Sequence, residues 1–410
     1  MKETSATGGL APRIWGTGAL LGALSMVSAF SIDTFFPSFR AISAEFGLSA
    51  WQIQQTLTVY MIPYAIMALA HGPLSDAFGR KPVILTGLSI YTMASIACAL
   101  TPSFELLLLF RAIQGATAGV GFIVGRAIIR DRHTGVQAQR LMSLVTMVFG
   151  LAPAIAPVIG GFVHVAFGWR AVFGFMALIG VSLFTASALR LTETHHHDRR
   201  VRFHVVALIN TSAGILRHRE FVRLALAQGI NFAGVLSFVA AAPAIVLDHW
   251  HLRETQFAAL LLPLIAGFTS GAAIAGRLAG RVTTERLIAA GFCVSLTGMS
   301  LLVLTYVAGM QFIPIEEVLL AVTAAGLQLI TPSIVLRMLD MFPNARGAAA
   351  SVQSFVSLSL TAFAMGVLAP ALQHSLLALA TSTLIGHVIA VSLWMSVRKR
   401  TMPDTRVVET

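Results

Sequence analysis

The sequence predicts an all-α membrane protein of twelve transmembrane helices arranged as two six-helix bundles, and three observations predict it. Of its 410 residues, 56% are hydrophobic and 11% charged, with a mean hydropathy of +0.81, whereas a soluble domain carries about a quarter charged residues. About twelve apolar runs reach the ~18–25 residues that a helix needs to cross ~30 Å of hydrocarbon. A polar stretch over residues 190–220 separates these runs six and six, as a parallel internal duplication would.

In the first half, apolar runs bounded by charged or Gly/Pro-rich turns place helices at residues 15–38, 51–72, 83–100, 104–129, 138–165 and 169–189. Lys2 and Arg13 precede the first run, but no small-residue cleavage site follows a short apolar core, so helix 1 is expected to persist and not to leave as a signal peptide. The stretch RLTETHHHDRRVRFHVVALINTSAGILRHRE then clusters arginine and histidine around a short amphipathic piece at 205–209, which suits a surface helix or a flexible strap. Beyond it, helices are expected at 221–247, 256–278, 287–308, 315–336, 347–372 and 375–397. The chain therefore divides into an N-terminal bundle (1–189), a linker (190–220), and a C-terminal bundle with a short tail (221–410).

Loop charge orients the bundle. With the N-terminus inside, Arg80, Lys81, Arg126, Arg130, Arg132, Arg140, the linker arginines, Arg277, Arg281, Arg286, Arg337, Arg346 and the cluster at 398–400 all lie on the cytoplasmic side. The opposite loops hold Arg40, Arg170 and Arg253 against Glu45, Glu105, Asp248, Glu254, Glu316 and Glu317. This asymmetry fits an even helix count with both termini cytoplasmic. It also accounts for the formal charge of +11 without nucleic acid, because the cations are spread through short loops and not along one face. Cys98 and Cys293 fall in apolar runs with no disulfide or metal spacing.

Several motifs carry chemistry. Between helices 2 and 3 stands Gly72-Pro-Leu-Ser-Asp76-Ala-Phe-Gly79-Arg80-Lys81-Pro82, a tight turn holding a carboxylate and two cations. The loop is either a positive topology anchor or a charge latch that breaks and reforms as two halves rock; the carboxylate near a helix end favours the latch, with Arg126 and Arg130 as its expected partners. Its second-half counterpart, Gly276-Arg277-Leu-Ala-Gly280-Arg281, lacks an acid, so a latch rests on Asp76, Arg80 and Lys81.

In helix 4, Arg111-Ala-Ile-Gln114-Gly115 continues through Gly119, Gly121 and Gly125, whose small-residue spacing suits close helix packing. Arg111 lies roughly 10 Å inside the outer boundary, a depth that costs several kcal/mol unless the charge is paired or hydrated. Asp33, in Ala29-Phe-Ser-Ile-Asp33-Thr-Phe-Phe-Pro37, sits at about the same depth and is expected to pair with it. Asp33 is either an interfacial carboxylate at a helix end or a proton carrier. A carboxylate moving between apolar burial and a guanidinium can take up a proton on one side and release it on the other. In helix 5, Gly150-Leu-Ala-Pro153-Ala-Ile-Ala-Pro157-Val-Ile-Gly160-Gly161 removes backbone donors and side-chain bulk and predicts a kink.

The helix 2–3 loop resembles the signature loop of the major facilitator superfamily, and the six-plus-six layout extends that resemblance over nearly the whole chain. Arg111 resembles the superfamily's helix 4 arginine motif, and Pro153, Pro157, Gly160 and Gly161 resemble the antiporter signature of its exporters. Ala152 and Ala156 stand where that signature has glycine, which puts the tightest helix approach in doubt. With Asp33-Thr-Phe-Phe-Pro37 and Arg126-Ala-Ile-Ile-Arg130-Asp131, the set is similar to the Bcr/CflA branch of drug:proton antiporters. The resemblance implies a proton-driven exporter of small, largely apolar drugs or metabolites that works by alternating access. Asp33 and Arg111 would couple protons, and no cofactor would be needed beyond the gradient. A proton-coupled nutrient importer is the alternative.

Candidate substrate contacts are polar or aromatic residues in apolar runs: Tyr60, Tyr64, Met147, Gln228, Asn231, Phe232, Gln328 and Gln353. Phe30, Phe35, Phe149, Phe238 and Phe268 face lipid or core more readily than ligand. His195-His196-His197 lies in the linker without a second ligand cluster, so no metal site is expected, and His164 and His387 receive no role. No phosphate-binding loop occurs and the only lysines are Lys2, Lys81 and Lys399, which argues against ATP hydrolysis; no cluster of nucleophiles and bases suggests an enzyme. The implied partners are the bilayer, protons and a small-molecule substrate, with a monomer expected.

Overall fold

The first apolar run does not stay helical to its end. In the structure, a computed structural model that describes residues 12–401 other than 134, 196–197, 199, 201–202, 254, 279–280 and 344, α1 (Pro12–Asp33) stops at Asp33. A 3-10 turn (Phe36–Ser38) with Pro37 inside it leads into α2 (Phe39–Phe46). Gly47, with φ +64°, closes α2 in the left-handed region that favours glycine. Ser49 then starts α3 (Ala50–Phe78) through a reciprocal cap in which Gln52 N–H donates to Ser49 Oγ (3.3 Å) and Ser49 N–H to Gln52 Oε1 (2.8 Å). Gly79, with φ +98°, turns the chain into α4 (Arg80–Leu100).

The helix expected at 104–129 is two: α5 (Phe104–Ala118) and α6 (Val120–Arg132), broken at Gly119. A Cβ at Gly119 would lie 2.9 Å from Tyr64 Cδ2, so glycine there lets the Tyr64 ring press against the break. His71 Nε2 is 3.1 Å from the Ala116 carbonyl, one turn before the break. Then come α7 (Gly135–Phe167), which runs unbroken through Pro153 and Pro157, and α8 (Trp169–Arg190). The linker contains α9 (Val205–Leu216).

In the second half, α10 (Arg219–Ala240) ends before a π-helical segment (Ala244–His249) that starts after Pro243. It is followed by α11 (Ala258–Leu278), α12 (Thr284–Val307) and α13 (Ile313–Asp340). α14 (Arg346–Phe363) passes into a second π-helical segment (Ala364–Leu368) before Pro370 in α15 (Ala369–Leu372), and α16 (Leu376–Thr401) completes the chain. Proline lacks the donor that a regular α-turn needs, which explains why both widened turns flank one.

Eleven spans among the described residues are long and apolar enough to cross a membrane. The 33-residue α7, with no charged residue over 141–163, supplies the twelfth. Packing repeats with a period of six spans. The pairs α1–α7, α3–α5 and α4–α8 in the first half recur as α10–α14, α11–α13 and α12–α16 in the second. The halves meet along α3–α14 and α7–α11, and the same six-span shift converts one of these pairs into the other.

Candidate functional site

The end of α1 builds the site. The last four carbonyls of a helix have no intrahelical donor, and its C-terminus carries partial negative charge. Arg111 on α5 answers both needs. Fully buried, its Nη1 donates to the Ser31 carbonyl (2.9 Å) and to Gln114 Oε1 (2.9 Å), and its Nε donates to the Thr56 carbonyl (3.4 Å). Its guanidinium lies between the rings of Phe35 and Tyr60, 4.4 Å from each centroid. Gln114 passes the network on to Ser95 Oγ (2.7 Å), and Ser31 Oγ meets the Tyr91 hydroxyl at 2.6 Å.

The expected Asp33–Arg111 pair is not formed. Arg111 Nε and Nη1 are engaged by the Ser31 and Thr56 carbonyls and by Gln114, its guanidinium faces two rings, and its buried Nη2 has no hydrogen-bond partner among the described residues. Asp33, the last residue of α1, is 4% exposed and makes no ion pair or side-chain hydrogen bond among the described residues. Its neighbour Thr34 returns its hydroxyl to the Phe30 carbonyl (2.5 Å).

The helix 5 motif packs against this same point. A Cβ at Gly160 would lie 2.7 Å from the Thr34 carbonyl carbon and 3.0 Å from Thr34 Cα, so only glycine lets α7 come this close to the residue after Asp33. Ala152 and Ala156, both fully buried, pack with Ala29 and Phe30. The doubt raised by the two alanines is thus answered by position: the backbone approach is made at Gly160. Pro157 and Gly161 are buried and Pro153 is half-buried.

At the other end of α3, Arg80 donates to Asp76 Oδ1 (2.5 Å), Ser75 Oγ (2.5 Å) and, through Nε, to Asp131 Oδ2 (3.0 Å). Arg126 and Arg130 are therefore not the partners expected of the latch; the residue that α6 contributes is the acid beside them. Arg126 lies 3.9 Å over the Phe122 ring, and Arg130 is exposed. Lys81 Nζ donates to the Ala188 carbonyl at the end of α8 (2.7 Å). Sequence reasoning missed Glu193. Its carboxylate accepts from the backbone N–H of Arg80 (3.0 Å), Lys81 (3.2 Å), Thr194 (2.9 Å) and His195 (2.8 Å), capping α4 from the linker. Burial pushes this carboxyl up, but the N–H donors of His195, Arg80, Lys81 and Thr194 together outweigh burial and hold it below the ordinary glutamate range. A lone acid three residues past a helix end gave no signal; only its fall beside the α4 N-terminus marks it.

The residues expected to touch substrate are dispersed. Tyr60 is fully buried, its hydroxyl donating to the Ser28 carbonyl (3.2 Å), and Tyr64 packs beside it with ring centroids 6.2 Å apart. Both are buried in the interior of the first half. Gln353 Nε2 donates to Gln228 Oε1 (2.9 Å), joining α14 to α10. The rings of Phe232 and Phe268 lie 6.4 Å apart, Asn231 is fully buried with no partner for its amide among the described residues, and Gln328 is half-buried. The side chain of Met147 lies outside the described residues, as do His196 and His197.

The halves are clasped at the end of α3 remote from the latch. Arg40 pairs with Asp248, Gln54 Nε2 donates to the Ala240 carbonyl (3.0 Å), and Gln55 Nε2 donates to the Gly366 carbonyl (3.2 Å). A cavity of about 360 Å³ lies in this seam, lined by Phe39, Arg40, Gln54, Pro243, Asp248 and His249 among others. Glu316, expected in an outer loop, is buried and accepts from Trp250 Nε1 (3.1 Å) and the Tyr306 hydroxyl (2.9 Å).

A profile described as Major Facilitator Superfamily matches residues 21–365. The chain belongs to this superfamily. Among its curated relatives, the uncharacterized MFS-type transporter YdgK of Bacillus subtilis is 31% identical over 271 residues, covering 66% of this chain and 67% of that protein. The bicyclomycin resistance protein homolog of Haemophilus influenzae is 27% identical and covers 72% and 74%. The chloramphenicol resistance protein CraA of Acinetobacter baumannii is 27% identical and covers 69% and 68%. Among solved structures, a D-xylose-proton symporter superposes with a TM-score of 0.72 at 12% identity, covering 96% of this chain and 99% of that one. At that identity the likeness is one of fold. As a superfamily member the chain is a multi-pass membrane transporter and not an enzyme.

Proposed function

We propose that this chain is a proton-coupled secondary exporter of small, largely apolar molecules, working by alternating access in the bacterial inner membrane with both termini in the cytoplasm. The observation that carries the reading is the solitary carboxylate of Asp33 at the broken end of α1. Among the described residues nothing is paired with its charge, so a proton or a bound ligand is left to do so. Its neighbour Thr34 is in backbone contact with the helix 5 motif, and α7, which carries that motif, lies on the seam with α11. A change of charge at Asp33 therefore acts one residue from the contact between α1 and α7, and α7 is one of the helices through which the halves meet. With the basic loops inside, the Arg40–Asp248 clasp joins the two halves at the outer face. The names of the relatives from Haemophilus influenzae and Acinetobacter baumannii, and of the multidrug resistance protein MdtM of Escherichia coli at 27% identity, support drug export as the direction and cargo.

The test uses everted vesicles loaded by an imposed pH gradient and a panel of apolar antibiotics and dyes. Substrate accumulation should collapse when the gradient is dissipated, and Asp33→Asn should abolish gradient-driven accumulation while leaving membrane insertion intact. Accumulation indifferent to the gradient, or unchanged in Asp33→Asn, refutes the coupling. Gradient-driven uptake in right-side-out vesicles instead identifies an importer.

A further inference from the structure

Helix α9 has three faces where a surface helix of a soluble protein has two. At about 100° per residue, Leu208, Ser212 and Ile215 share one side; Ser212 and Ile215 are buried, and Ile215 packs in a cluster with Phe221, Leu224, Ala349 and Val352 of α10 and α14. The adjoining side carries Val205, Val206 and Ile209, which are 54%, 69% and 59% exposed, together with Leu216. The third side is flanked by Asn210 and Thr211, with the small Ala207 and Gly214 between them, and all four are exposed. A face packed on protein, a bare apolar face and a polar face, in that order around one helix, describe an element lying along a boundary between protein, hydrocarbon and water.

The connectivity puts it there. α9 lies between the end of α8 and the start of α10, two spanning helices that reach the same side of the membrane. Its cations sit at the right edge. Arg217, the C-cap residue, falls between the bare apolar face and the polar face, and Arg219 follows two residues later. Glu220 is engaged by Arg337 (2.8 Å), and among the described residues neither Arg217 nor Arg219 has a carboxylate partner. Both are exposed.

We infer that α9 is an anionic-phospholipid-binding helix: its Val205–Val206–Ile209 face enters the acyl region of the leaflet on the basic side, and Arg217 and Arg219 hold the acidic headgroups above it. Each arginine near such a leaflet strengthens attachment of its segment to the anionic surface roughly fivefold. The inference rests on the membrane fold alone and is independent of proton-coupled export.

The test needs no transport. In a Cys293→Ser background, with Cys98 buried, a bimane label is placed at Val206→Cys or Thr211→Cys, and the full chain is reconstituted in nanodiscs of phosphatidylcholine with a fixed fraction of brominated lipid. Brominated lipid should quench the label at 206 several-fold more than at 211, and aqueous iodide the reverse. Brominated phosphatidylglycerol should quench at 206 more than brominated phosphatidylcholine at equal mole fraction. The pair Arg217→Gln with Arg219→Gln should remove that difference, and the pair Arg217→Lys with Arg219→Lys should retain most of it. Equal lipid quenching at 206 and 211 overturns the seating of the helix. Equal quenching by the two lipids in the arginine-containing protein, or a preference that survives the glutamine pair, overturns the headgroup selection.

Discussion

Gly160→Ala tests the joint between the helix 5 motif and the end of α1. The added Cβ would stand 2.7 Å from the Thr34 carbonyl carbon and 3.0 Å from Thr34 Cα, whereas carbon atoms in contact keep about 3.5–4.0 Å. The shortfall is on the order of 1 Å, and the colliding atoms are main chain, so no rotamer change relieves it. Either α7 withdraws or the turn after Asp33 is pushed, at the ~1–3 kcal/mol typical of overpacking in a close-packed interior. Gly174→Ala on α8 is the matched control, because a Cβ there meets nothing within 4 Å, and alanine is the better helix former by roughly 1 kcal/mol. Thermal unfolding of the purified variants should show Gly160→Ala melting several degrees below the unmodified protein and Gly174→Ala at or above it. Gradient-driven accumulation in vesicles should fall at least tenfold for Gly160→Ala at equal membrane abundance. A Gly160→Ala protein that melts and transports like the unmodified one would show that this approach is not a constraint.

Three other perturbations have defined outcomes. Arg111→Lys keeps the charge but loses the planar fork that reaches Ser31, Thr56 and Gln114 at once; it should lose ~1.5–3 kcal/mol for each charge-assisted bond left unmade, read as a lower melting midpoint, and an unchanged midpoint refutes the assignment. The Arg40–Asp248 pair is more than half exposed on both sides, so it is worth only about 0.2–1 kcal/mol; Arg40→Ala should shift cross-linking between the halves at the outer seam by no more than about fivefold, and the exchange Arg40→Asp with Asp248→Arg should restore it. Because the folded Glu193 carboxyl is held below its ordinary range, its contribution is fully present above the unfolded value and is lost as pH falls through the folded one; hydrogen exchange at the amides of Arg80, Lys81, Thr194 and His195 should rise relative to the intrinsic rate in that acidic window, and Glu193→Gln should show the raised exchange at neutral pH.

The spans were legible because hydrocarbon imposes a one-dimensional rule: an apolar run of sufficient length must cross, whatever it later touches. Asp76, Arg80 and Gly160 were legible for a related reason, since a short turn or a close approach admits few residue types. What failed to show was the identity of partners. Depth alone points Arg111 to a carboxylate, but two of its three acceptors are the Ser31 and Thr56 carbonyls, and a main-chain oxygen leaves no letter in a sequence. Arg126 and Arg130 were matched to the latch by charge count, yet Asp131, one position on, points at Arg80 because of where α6 ends. The break at Gly119 was hidden for the converse reason: its cause is the Tyr64 ring on another helix, about fifty-five residues away.

The amide side chains that stitch the seam remote from the latch both end on oxygens outside regular α-helical turns: Ala240 is the final residue of α10, and Gly366 sits inside a widened turn. Parting there breaks no regular helix. Water entering the gap finds acceptors that can be hydrated at once, and the glutamines turn outward with their donors equally served. Separation at that face would therefore break the Arg40–Asp248 pair and apolar contact, and no regular helical turn.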